Sequence, residues 1–147
     1  MNLPFSDVLD RYTIEVRKAF YGHGNDQQIE ELADHMKREL DASLILVPGT
    51  TMVNLQKVWA VVRGGVLLGI VNDSIAQMEW QIRAGQNLSL EEVGRRAILT
   101  RKLNDIRVKI RQELSTALEE AVETRYYGAG EIEAKDLTLD VQEPLER

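Results

Sequence analysis

The chain predicts an all-α fold, mostly helical: two shorter N-terminal helices, a long antiparallel helical hairpin and an acidic C-terminal tail. Three observations predict it. Leu90 to Tyr127 runs for 38 residues with no proline and a single glycine, Gly94. Its apolar residues Leu99, Leu103, Ile106, Ile110, Leu114, Ala117 and Ala121 recur at steps of three and four, the spacing of one helix face. A strict heptad of Val61, Gly64, Leu68, Val71, Ile75, Met78 and Ile82 precedes it, in a segment of matching length, as an antiparallel αα-hairpin requires.

In the first element, Phe5, Leu9, Tyr12, Val16 and Phe20 lie at helical spacing, with Ser6 as the expected N-cap. Gly22-His23-Gly24 stops that helix, because paired glycines suit a turn. Asn25 caps the second helix, with Gln28 as half of a capping box, and Ile29, Leu32, Met36 and Leu40 form its stripe. Leu44 to Val47 is a short strand or extended connector closed by Pro48-Gly49.

Thr50 or Thr51 is the expected cap of a third helix that ends near Gly85. Residues 57–71 also fit a β-hairpin, an α+β alternative: Val58 to Val62, a turn at Arg63-Gly64-Gly65, then Val66 to Val71. The unbroken heptad through these positions favours the helix, although each internal glycine costs it about 1 kcal/mol. Gln86-Asn87-Leu88 makes a tight loop. Ser89 with Glu92 forms a capping box for the long helix, about 57 Å in length at ~1.5 Å per residue. Gly128 and Gly130 are its expected end. Residues 1–130 therefore read as one helical domain and 131–147 as a loose acidic tail.

At 147 residues the chain can bury a core without staples, and its 44% hydrophobic and 29% charged residues are a globular balance. It has no cysteine, which excludes disulfides, thiolate metal sites and cysteine nucleophiles. No basic-then-apolar leader opens the sequence, and a cytoplasmic location is expected. The most apolar segment, Val58 to Val71, is shorter than the ~20 residues that span a bilayer, and reads as buried core rather than membrane. Net charge is −6, which disfavours a dedicated nucleic-acid binder.

Charge is unevenly placed. Residues 93–111 carry seven basic side chains (Arg95, Arg96, Arg101, Lys102, Arg107, Lys109 and Arg111) against Asp105 alone, whereas residues 113–147 carry ten acids. The basic run invites a nucleic-acid reading. It lacks interleaved aromatics for stacking, and it flanks an apolar stripe where charges usually choose partner helices.

Glu31, His35 and Glu39 fall on one line of the second helix beside Asp34, a pattern able to hold a metal or to move protons. The stretch Glu30-Glu31-Leu32-Ala33-Asp34 is similar to a motif of the all-α nucleotide pyrophosphohydrolases. That resemblance covers five residues and implies a carboxylate–magnesium enzyme. The family's other Glu-rich helix has no counterpart in residues 5–20, whose acids are scattered. A solvated face with ordinary pairs such as Asp34 with Arg38 accounts for the same residues.

The expected role is therefore a non-enzymatic helical oligomerisation or adaptor protein, or a structural subunit of a larger assembly, with no cofactor. A two-fold axis between Arg107 and Val108 sets Arg95 against Glu120 and Lys102 against Glu113 of a second copy. Arg95, Lys102, Lys109, Glu113 and Glu120 are thus the expected interaction surface. Within one chain, a hairpin pivot at residue 87 sets Leu68 against Ile106, Val71 against Leu103, Ile75 against Leu99 and Gly64 against Ile110. It also pairs Asp73 with Arg101 and Glu79 with Arg95.

Overall fold

Helices α1 (Phe5–Phe20), α2 (Asp26–Asp41), α3 (Leu55–Arg83) and α4 (Leu90–Ala117) follow one another in chain order. They come from a computed structural model that describes residues 3–84 and 87–120. The helix reading of residues 57–71 holds, since all of them lie within α3. The expected tail, residues 131–147, and the predicted stops at Gly128 and Gly130 lie outside the described residues.

Side chains close three of the four helix starts. Asn25 accepts from Gln28 N–H, Asn54 from Gln56 and Lys57, and Ser89 from Glu92. Asn54 therefore replaces Thr50 and Thr51 as the α3 cap. Thr50 instead closes the preceding turn, its hydroxyl donating to Val47 O and accepting from Met52 N–H. That turn joins an isolated antiparallel bridge between Leu46 and Val53. At Ser89 only half of the capping box forms: the Glu92 carboxylate turns to Arg95 and Arg96, whose hydrogen bonds and charge hold it below the ordinary carboxylate range.

The fourth start is different. Ser6 is not a cap: α1 begins after Pro4, with no side-chain cap of its own. Its free N–H groups at Phe5 and Ser6 donate to the Glu120 carboxylate, at 2.6 and 3.2 Å. A residue at the far end of the described chain thus closes the first helix.

Glu120 reaches that point because α4 ends ten residues before Tyr127. After Leu118 the chain reverses at Glu119, φ +60°, with Glu119 N–H on Thr116 O and Glu120 N–H on Ser115 O. This is a Schellman closure without glycine, and the left-handed conformation costs a non-glycine residue about 1–2 kcal/mol. Two charge-assisted bonds from Glu120 to α1 offset it. The α1 helix ends with the same closure on Gly22, φ +81°.

α3 and α4 form the antiparallel hairpin, α1 packs across both, and α2 packs on α1 alone. The hairpin register is shifted by one turn from the expected one. Gly64 lies against Leu114, not Ile110: a Cβ placed there would stand 3.1 Å from Leu114 Cδ2. Arg63 pairs with Glu113, Lys57 with Glu119, and Arg96 with the buried Gln81. Carried along, this register sets Leu68 opposite Ile110, Val71 opposite Ile106, Ile75 opposite Leu103 and Met78 opposite Leu99. All eight are buried. The shift follows from the glycine, which admits a leucine, and from two cation–carboxylate rungs. Asp73 and Glu79 are accordingly not with Arg101 and Arg95: they pair with Arg17 and Arg83.

In α1 only the first part of the predicted stripe reaches the core. Phe5, Val8 and Leu9 are buried, whereas Val16 and Phe20 are exposed, Phe20 at 83%.

Two substitutions check this packing. Leu103 has no exposed surface, and Leu103→Ala is expected to cost about 2–5 kcal/mol in denaturant unfolding; a near-neutral result would exclude this core. Gly69 has open space around it, unlike Gly64. Gly69→Ala should therefore raise the melting temperature through up to ~1 kcal/mol of helix propensity, while Gly64→Ala gains nothing because Leu114 must yield. Equal gains at the two positions would contradict the close approach.

Candidate interaction surface

Asp10 is 1% exposed, and its carboxylate gathers three elements. Arg107 of α4 donates from Nε at 2.9 Å and from Nη2 at 2.7 Å to Oδ2, Arg111 reaches the same oxygen at 3.4 Å, and Asn72 of α3 donates to Oδ1 at 2.8 Å. The Asn72 amide also donates to Thr13. Next to this group the buried Ser6 and Ser115 hydroxyls bond at 2.7 Å. Sequence reasoning missed Asp10, since one acid beside Leu9 on a helix gives no periodic signal. The unmatched basic run of α4 was the available clue.

The basic run is largely spent inside the chain. Arg95 and Arg96 pair with Glu92, and Arg107 and Arg111 with Asp10. Arg101 and Lys102 are exposed and Lys109 is half-buried. Among the five expected interaction residues, Arg95 is engaged by Glu92, Glu113 by Arg63 and Glu120 by the start of α1. A second copy meeting α4 about Arg107 and Val108 would compete with those partners.

The acidic face of α2 does not gather. Glu31 accepts from Gln27, and His35 Nε2 lies 3.9 Å from Glu39. Among the described residues no three His, Asp or Glu side chains converge as a metal would need. The acids of α1 supply no partner set, since they face cations: Asp7 and Asp10 toward Arg111, and Glu15 toward Lys18.

What remains open is a second apolar face of α3. Leu55, Trp59, Val62, Val66 and Ile70 are exposed at 78, 64, 51, 58 and 45%. They repeat at helical spacing on the side away from the Gly64–Leu68 seam, and Gly69 on the same side has nothing within 4 Å of a Cβ. Trp59 and Trp80 are both exposed. The two cations within this stretch are turned aside: Lys57 is buried on Glu119, and Arg63 is held by Glu113. Beside Trp59 a groove of about 630 Å³ opens between α3 and α4, and the expected residues Lys109 and Glu113 line it.

By length and composition α3 is long and apolar enough to cross a membrane, and only 33% of its most apolar window is buried in the bundle. Reading Val58 to Val71 as simple buried core was therefore incomplete. The segment is apolar on two faces and the bundle covers one.

Two variants test the electrostatic frame that fixes this arrangement. Asp10→Ala leaves Arg107 without its fork partner and should cost about 2–3 kcal/mol, below the 3–5 of a fully buried pair because Arg107 is partly exposed. Glu120→Gln keeps an acceptor at the α1 N-terminus but removes its charge, for a loss of about 0.5–1 kcal/mol. Urea unfolding measures both; a larger loss at Glu120 than at Asp10 would reverse their ranking.

Compared with protein-family models, with characterised proteins and with solved structures, the chain shows no match.

Proposed function

We propose that this chain is a non-enzymatic helical interaction protein, an adaptor or structural subunit that docks through the outer face of α3. One observation carries the reading. The stripe from Leu55 to Ile70 is apolar, exposed and free of outward charge, in a bundle whose other charges are widely matched internally. Contiguous apolar patches of a few hundred Å² on a folded chain mark interaction surfaces.

Nucleic-acid binding has less support. Four of the seven cations in the basic run are committed to carboxylates, and the net charge of −6 repels a phosphate backbone. The carboxylate–metal reading has less again, because its acids are dispersed.

A photocrosslinking residue placed at Val66 in cells tests the proposal, with the same residue at the exposed Glu30 of α2 as control. Discrete protein adducts from position 66 and none from position 30 are expected. No adduct from Val66 or from Trp59 would contradict docking through this face.

A further inference from the structure

Resting on that reading of the α3 face, we infer that its occupant is a second copy of the chain, packed antiparallel about a two-fold axis at the level of Gly64. The spacing carries the register. Trp59, Val66 and Asp73 fall at one heptad position, and Leu55, Val62 and Gly69 at the other. In an antiparallel pair these two positions share layers. Val62 then meets Val66 of the second copy, and Trp59 meets Gly69. The bulkiest side chain on the stripe then meets its glycine, where an added Cβ would have nothing within 4 Å. A parallel pair would stack Trp59 on Trp59, leave Gly69 facing Gly69, and oppose Asp73 to itself. Alternating large and small residues fill space as a core does.

Charge agrees with this orientation. Arg63 flanks the axis, and its guanidinium is held on Glu113 at 3.1 Å, so that two copies do not oppose bare cations. At each end Asp73 comes opposite Leu55 of the other copy, in the first turn of α3. That turn contains no acidic residue, and the Asp73 carboxylate is already held by Arg17 and Gln77 of its own chain, so no like charges are opposed there. Area agrees as well. Five such side chains make a patch on the order of 500 Å². Two copies bury about 1,000 Å² together, the lower bound of a specific interface. The pair should be reversible at micromolar concentration.

Sedimentation and light scattering of the purified full chain over the micromolar range test the inference. A concentration-dependent monomer–dimer equilibrium is expected. Val66→Glu should weaken it by at least about tenfold, by placing carboxylates near the axis. Gly69→Trp should weaken it comparably without lowering the melting temperature of the dilute monomer, and adding Trp59→Ala to Gly69→Trp should restore it. A wild-type chain that stays monomeric overturns the inference, as does an oligomer indifferent to Val66→Glu or a swap that restores nothing. If the monomer persists while Val66 still crosslinks another protein in cells, self-pairing falls and the docking reading stands. Binding of the monomer to phospholipid vesicles through this face would likewise overturn self-pairing. If Val66 captures nothing, both fall.

Discussion

The carboxylate of Asp10 is buried at the meeting point of α1, α3 and α4, and the arrangement of the bundle depends on its being answered there. Removing an ion from water costs several kcal/mol even after relaxation, and only excellent geometry with further hydrogen bonds offsets that. Arg107 supplies a two-pronged guanidinium contact and Asn72 an amide donor from the other helix of the hairpin. Apolar packing alone would let α1 slide along the α3–α4 groove, since Phe5, Val8 and Leu9 fit many positions of a leucine-lined surface. A charged fork and an amide meeting at one atom group do not slide. Ser6 on Ser115 and the Phe5–Ser6 amides on Glu120 then fix the helix at its N-terminal end.

This constraint explains the uneven charge of the long helix. In its basic half Arg107 and Arg111 face the acids of α1 while Glu92 holds Arg95 and Arg96, and its acidic end supplies Arg63, Lys57 and the α1 N-terminus with partners. Charges that look like bait for another chain are largely consumed in building this one. The surface left over is apolar: α3 has one face sealed by α1 and α4, and a second that nothing in the described residues covers. Function is proposed for that face because a helix retains two apolar sides at a cost in solubility.

Much of the fold was legible. The heptad from Val61 to Ile82 and the stripe from Leu99 to Leu114 are the two halves of the core, and Asn25 and Ser89 cap as their residue types imply. The misses have physical reasons. α4 stops at Ala117 through a left-handed Glu119, with no glycine or proline to announce it, because a tertiary contact of Glu120 offsets the strain. The hairpin register moved by one turn because it is set by Gly64 receiving Leu114, not by the loop's midpoint. Ser6 looks like a cap but bonds Ser115, since the cap comes from a remote carboxylate. The candidate face was hidden by its own composition: with apolar residues on both sides, α3 shows no amphipathic contrast from which a second stripe stands out.

The central claim is that the outer face of α3 is a covered surface in the assembled protein. Hydroxyl-radical footprinting of the full chain tests it most directly, comparing Trp59 and Val66 with Leu90, which is 91% exposed at the start of α4. The account predicts that oxidation of Trp59 and Val66 falls as protein concentration rises through the micromolar range while that of Leu90 does not change. Undiminished oxidation of Trp59 and Val66, both at high concentration and in cell extract, would contradict it.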